Sequence, residues 1–115
     1  MADSKFNRLL ESLDSVTKAD KPTHLRSAFY SLKSYSERSV SAANKCDFPQ
    51  MINDIILAAT AGVSLRREAE NGIIEDKISH GEWLQIHNDS INLVFKGLVE
   101  EISKSLTSTC GCKGE

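Results

Sequence analysis

The segment SHGEWLQIHNDS, residues 79–90, holds the side chains best suited to chemistry: two histidines, a glutamate and the only tryptophan of the chain. His80 and His87 are seven residues apart, so on a helix they share a face but lie about 10 Å apart along its axis. A zinc ion needs its ligands within about 2.3 Å. The two histidines cannot chelate one ion by themselves, and we predict no metal site and no cofactor.

The same segment also has the pattern of a helix start. Ser79 and Glu82 have the S-x-x-E spacing of a capping box, which places His80 in the solvated first turn. Trp83 is expected either to anchor this start on the core or to contact a partner, because tryptophan is enriched at interfaces. His87 lies on an apolar stripe, so it is either a core-edge histidine or a titratable contact to a ligand.

The cysteines do not form a recognisable site. Cys110 and Cys112 supply at most two thiolate ligands, and their C-x-C spacing differs from the redox C-x-x-C motif. We expect both to be incidental residues on a mobile tail, with Cys46 in a structural turn. Three cysteines, an odd number, without a visible secretion signal predict reduced thiols and a cytoplasmic location.

A second polar cluster lies between residues 23 and 45. Arg26 and Lys33 are seven residues apart and share a helix face with Tyr30, among several serines. This cluster is either a solvated helix face or one wall of a site for a phosphate-bearing small ligand. His87 is the further polar candidate for such a ligand site.

Apolar side chains recur at helical spacing along nearly the whole chain. Short connections favour antiparallel neighbours. We predict an all-α fold, with one antiparallel four-helix bundle-like domain over residues 1–107 and a flexible C-terminal tail over 108–115. The predicted helices cover residues 4–19, 23–45, 48–71 and 80–107.

The third and fourth predicted helices are unusually apolar. The third is expected to begin with a capping box of Asp47 and Gln50 and to end at Gly72. The stripe of the fourth consists of Leu84, His87, Ile91, Phe95, Leu98, Ile102 and Leu106. Helices with this much apolar surface are buried against several neighbours or lie in an interface. We therefore predict a homodimer formed through these two helices.

Composition narrows the class of protein. Hydrophobic residues make up 40% and charged residues 26%, as in an ordinary globular chain. The formal net charge of −2 argues against a nucleic-acid partner, because such proteins normally present a basic face. The longest apolar run, residues 55–63, is about half of a membrane span. We expect no membrane contact.

No G-x-S-x-G, P-loop or G-x-G-x-x-G motif is present, so we expect no enzymatic activity and no catalytic residues. The leading hypothesis is a helical protein-interaction module, acting as an adaptor, inhibitor or regulatory subunit, with Trp83 and Phe95 at the partner interface. The alternative is a helical protein that binds or sequesters a small ligand between helices or at a dimer interface. Its candidate ligand residues are Arg26, Tyr30, Lys33 and His87.

Overall fold

A computed structural model describes residues 4–18 and 23–111, and every regular element in these two ranges is a helix. The elements are α1 (Lys5–Val16), α2 (Thr23–Asn44), α3 (Phe48–Ile74), α4 (His80–Asn92), a π-helical segment (Leu93–Gly97), α5 (Leu98–Leu106) and a second π-helical segment (Thr107–Gly111). The last four follow one another without a break and correspond to the fourth predicted helix. The all-α prediction is confirmed, and no described helix is long and apolar enough to cross a membrane.

The predicted helix bounds differ from the structure at several ends. α1 ends at Val16, three residues before the predicted end. α3 runs to Ile74, three residues beyond the predicted end. The last helix continues to Gly111, into the segment that we expected to lack periodicity. The predicted helix stop at residues 19–22 and Cys112 lie outside the described residues.

The start of α3 is only partly as predicted. The side chain of Asp47 accepts a hydrogen bond from the backbone N–H of Gln50 at 3.3 Å. The reciprocal arm of the capping box is absent from this helix start, because the Asp47 N–H donates to the carbonyl of Ala42 at 2.9 Å. Gln50 instead donates its side-chain amide to Asp54 at 2.9 Å.

The prediction that Gly72 ends α3 is wrong. The residue in the left-handed region is Asp76, with φ 59°. Its N–H donates to the carbonyl of Ile73 at 3.0 Å, and the N–H of Lys77 donates to Gly72 at 2.7 Å, which is a Schellman motif. Gly72 is buried inside the helix, where a Cβ atom would lie 3.1 Å from the side chain of Ile78. This glycine therefore serves close packing of the following loop.

The core lies between α2, α3 and the last helix and is closed at one side by α1. Small side chains on α2 and α3, including Ser39, Ala43, Ala58 and Ala61, are buried. The large apolar side chains of the core are Phe6, Leu10, Leu13, Leu25, Phe29, Leu32, Leu65, Ile86, Leu93, Leu98 and Ile102. Small residues let the axes of α2 and α3 approach closely. Serine is a mediocre helix former, so the serine-rich α2 depends mainly on tertiary packing for its stability.

The stripe predicted for the last helix does not form one buried face within the chain. Leu84 and Phe95 are exposed, whereas Ile86, Ser90 and Leu93 are buried. The cause is the π-helical segment Leu93–Gly97, since a π turn holds more residues than an α turn and rotates the face presented by the residues before it. A constant helical period cannot describe both sides of such a segment.

Gly97 allows α1 to lie directly on the last helix. A Cβ atom at this position would be 3.2 Å from the Cα atom of Phe6 and 3.2 Å from the side chain of Leu9. We expect Gly97→Ala to destabilise the protein by about 1–3 kcal/mol, the usual cost of overpacking. Chemical denaturation measures this change.

The matched control is Gly62→Ala, another glycine inside a helix. A Cβ atom at Gly62 would make ordinary contacts, 3.5 Å from Arg66 and 3.6 Å from Val94. The higher helix propensity of alanine in Gly62→Ala should therefore stabilise the protein by up to about 1 kcal/mol. Equal stabilisation by both substitutions would contradict the close approach of α1.

Candidate functional site

An open groove of about 530 Å³ runs along α2. Arg26 and Tyr30, two of the predicted ligand residues, share this groove. The full lining is Arg26, Ser27, Tyr30, Ser31, Ser34, Tyr35 and Arg38. The groove is therefore rich in hydroxyl groups and carries an arginine at each end.

The guanidinium group of Arg26 is already bound within the chain. One terminal nitrogen lies 2.8 Å from both the Tyr30 hydroxyl and a carboxylate oxygen of Asp14. The other donates to the carbonyl of Asp14 at 3.0 Å and to the hydroxyl of Thr17 at 3.1 Å. Desolvation lowers the pKa of Arg26, but hydrogen bonds with Tyr30 and Asp14 outweigh it, so the pKa lies above its ordinary value. Arg26 thereby ties the end of α1 to α2.

The four predicted ligand residues do not converge on one site. Lys33 is not among the groove residues and lies 3.8 Å from the carboxylate of Glu37, one helical turn later. His87 belongs to α4 and lines a separate concavity against α3. The structure brings together Arg26 and Tyr30 only.

The start of α4 agrees with its sequence pattern. The N–H of Glu82 donates to the Ser79 hydroxyl at 3.0 Å, and the N–H of Ser79 donates to the Glu82 carboxylate at 2.9 Å. Trp83 is half-buried against the core and lies between two imidazole rings. Its ring centroid is 5.4 Å from that of His80 and 5.2 Å from that of His87. This arrangement orients both histidines along one side of α4.

Two concavities, of about 410 and 250 Å³, lie side by side where α3 meets α4, and both include Glu70. The first also includes Ile74 and Trp83, and the second also includes Val63 and His87. We call this surface, defined by these five residues, the α3–α4 face. It combines large apolar groups with a carboxylate and an imidazole, and its tryptophan is of a residue type enriched at protein interfaces.

Arg66 lines the second of these concavities. Its guanidinium group donates to the buried hydroxyl of Ser90 at 3.1 Å, which links α3 to α4. Partial burial lowers the pKa of Arg66. Arg66 and its neighbour Arg67 both line the concavity beside His87, so this end of the α3–α4 face is cationic.

The outward side of α3 carries large apolar side chains that are exposed and do not belong to the buried core. We call this row the outward α3 stripe, and its members are Phe48, Ile52, Ile56, Val63 and Ile74, all of them exposed. At about 100° per residue their side chains fall within an arc of about 80°. The buried residues of α3, such as Ala58 and Leu65, lie on the opposite side. Phe95 and Val99 are two further exposed apolar side chains, on the last helix.

Asp54 is a functional candidate that the sequence analysis missed. Its side chain is 1% exposed, in the second turn of α3. The pattern contained a signal for it, because Asp54 shares the helical spacing of the buried residues Ala58, Ala61 and Leu65. A charged residue on the buried side of an apolar helix is costly unless it is paired, and Asp54 is paired with Arg38 at 3.6 Å and with the side chain of Gln50 at 2.9 Å.

The expectation that all three thiols are reduced is wrong. Cys46 and Cys110 are joined by a disulfide bond, with their Cα atoms 6.1 Å apart. Cys46 lies in the turn after α2 with φ 57°, as the predicted structural turn suggests. Cys110 lies in the second π-helical segment and is not incidental. The thiol argument for a cytoplasmic location therefore no longer holds.

Comparison with known proteins gives no match to a family model, a curated protein or a solved structure. Within residues 4–18 and 23–111, no group of three or more histidine, cysteine, aspartate or glutamate residues is placed to hold a metal ion. The function must therefore be argued from the surfaces described above.

Proposed function

We propose that this chain is a non-enzymatic helical interaction module, an adaptor, inhibitor or regulatory subunit, whose partner binds the outward α3 stripe. One observation carries this proposal: five large apolar side chains are exposed on a single face of one helix. Single exposed apolar residues are normal on protein surfaces. A row is different where it is contiguous, as from Phe48 through Ile52 and Ile56 to Val63, because contiguous apolar surface marks sites where proteins associate.

The spacing within the stripe favours a helix as its partner. Its members Ile52, Ile56 and Val63, with the partly buried Ala59 between the last two, follow one another at intervals of four, three and four residues. Alternation of three and four is the spacing at which two helices pack side chains of one between those of the other. We propose that the helices of one chain form an antiparallel four-helix bundle. We further propose that the outward α3 stripe of one copy packs against the same stripe of a second copy.

The α3–α4 face extends the proposed interface. Val63 and Ile74 belong to both surfaces, and Trp83 adds a large, half-buried aromatic group beside them. Tryptophan residues surrounded by less important contacts often carry much of the binding energy of an interface. We propose that this end of the molecule recognises a protein partner other than a second copy.

A charged substitution in the stripe tests the proposal. Ile56 is 59% exposed, so Ile56→Lys should leave folding intact while placing a charge in the interface. We expect sedimentation velocity to give a dimer for the wild type and a monomer for Ile56→Lys. A partner protein captured from the native host should likewise be lost with this variant.

Asn53→Lys is the matched control, because Asn53 is exposed on α3 but is not part of the stripe. It adds the same charge three residues away, outside the stripe, and should preserve both the dimer and the captured partner. A wild-type protein that stays monomeric and captures nothing, or an Ile56→Lys variant that behaves like Asn53→Lys, would overturn the proposal.

Binding of a small, phosphate-bearing ligand in the α2 groove is the second candidate function. Its support is the groove itself, which combines Arg26, Arg38 and two tyrosine residues with serine hydroxyls. The intramolecular contacts of Arg26 weaken this candidate function, because a phosphate group must compete with Asp14 for the guanidinium group. Native mass spectrometry of protein from its own host separates the two candidates, since only this one predicts a stoichiometric small molecule.

A further inference from the structure

A small cavity lies between the C-terminal end of α2 and the N-terminal end of α3, apart from the outward α3 stripe and the α3–α4 face, and shares only Arg38 with the α2 groove. Its volume is about 220 Å³. The lining residues are Arg38, Ser41, Ala42, Lys45, Asp47, Gln50 and Asp54. Sites for drug-sized ligands measure about 300–1,000 Å³, so an occupant of this cavity must be smaller than those.

The carboxylate of Asp54 is only half satisfied. Its Oδ2 atom accepts a hydrogen bond from the side chain of Gln50 at 2.9 Å. Its Oδ1 atom is buried and accepts no hydrogen bond from any residue in the described ranges. Arg38 forms an ion pair with Oδ1 at 3.6 Å, a separation too long for a hydrogen bond. Buried carboxylate oxygens rarely go without a donor, so Oδ1 is prepared for a donor from outside the chain.

The other charges of the cavity constrain the ligand. Asp47 uses its side chain to cap α3, which leaves Asp54 as the inner anion. Arg38 and Lys45 are exposed and lie on α2 and in the turn after it. Two cations and two carboxylates line the cavity in all. A ligand with one charge would face repulsion from half of these groups, whereas a ligand that carries both signs can satisfy them.

We propose that this cavity binds a free α-amino acid with a small side chain. The ammonium group of the ligand donates a hydrogen bond to Oδ1 of Asp54, and its carboxylate lies between Arg38 and Lys45. Charge-assisted hydrogen bonds at both ends are the strong kind, and burial of Asp54 strengthens the inner one. No covalent step is involved.

Titration calorimetry with glycine and L-alanine tests this proposal on the wild-type chain. Glycine betaine, acetate and methylammonium are the comparison probes. We expect glycine to bind at least about tenfold more tightly than glycine betaine, which has no N–H to donate to Asp54. Acetate and methylammonium each make half of the contacts and should bind more weakly still. Equal binding of glycine and glycine betaine, or no binding of either amino acid, would overturn the proposal.

Asp54→Asn keeps the shape of the side chain and removes its charge, and Arg38→Gln removes the cation at the mouth. Each should weaken glycine binding by about tenfold or more. Asp76→Asn is the control, because it removes a carboxylate outside the cavity and asparagine tolerates the left-handed conformation of that position. Glycine binding that is unchanged in Asp54→Asn would contradict the assignment.

A measurement on the wild type guards against a variant that fails to fold. Addition of glycine should shift the backbone amide NMR signals of residues 38–54 and leave those of the α3–α4 face unchanged. Shifts confined to any other part of the chain would place the amino acid elsewhere and overturn the proposal.

Discussion

Reduction of the Cys46–Cys110 disulfide is expected to lower the free energy of unfolding by about 4 kcal/mol. The bond joins residues 64 positions apart, so it closes a long loop and removes much of the conformational freedom of the unfolded chain. It also attaches the second π-helical segment to the turn between α2 and α3. Chemical denaturation with and without a reducing agent measures the loss, and Cys110→Ser should reproduce it.

The third cysteine provides the control for this prediction. Cys112→Ser removes a thiol only two residues from Cys110 but leaves the bonded pair intact, so its stability should equal that of the wild type. Thiol titration of the unfolded, unreduced chain should find one reactive thiol, because two of the three cysteines are bonded. Three reactive thiols, or a Cys110→Ser variant as stable as the wild type, would contradict the disulfide.

The sequence predicted those features of the fold that depend on local chemistry. The capping box of Ser79 and Glu82 is present with both hydrogen bonds, and α2 begins at residue 23 and ends within one residue of its predicted end. Such features need only neighbouring residues to form. The end of α3 could not be predicted in this way, because Gly72 is used for packing against Ile78, which lies beyond the helix.

The candidate sites were harder to predict, for a physical reason. Spacing along a helix places Arg26 and Tyr30 together correctly, but it contains no information that Asp14 of α1 already binds Arg26. Phe95 has the helical spacing of Leu98 and Ile102, yet it is exposed whereas they are buried, because a π-helical segment precedes them. The cavity at Asp54 and the disulfide of Cys46 both depend on which helix lies beside which. These are consequences of tertiary packing, which periodicity alone does not specify.

Two phenylalanine residues allow the separation of folding from binding. Phe29 is 0% exposed and is among the largest side chains of the core. We expect Phe29→Ala to lower the free energy of unfolding by about 3–5 kcal/mol, because it removes apolar contacts and leaves a cavity. Phe95 is 65% exposed, so Phe95→Ala should change stability by about 0.5 kcal/mol or less. Chemical denaturation of the two variants gives both values.

Phe95→Ala also tests the sequence prediction that Phe95 lies at a partner interface, which would add the last helix to the proposed contact. Truncation of an aromatic residue that is buried on association weakens binding by about tenfold or more when that residue carries the contact. Phe95→Ala should therefore raise the dissociation constant of the dimer, or of the captured partner, while its thermal unfolding stays that of the wild type. Ser103→Ala, an exposed change on the same helix, should alter neither quantity. Association that is unaffected by Phe95→Ala would exclude this phenylalanine from the interface and would confine the contact to the outward α3 stripe and the α3–α4 face.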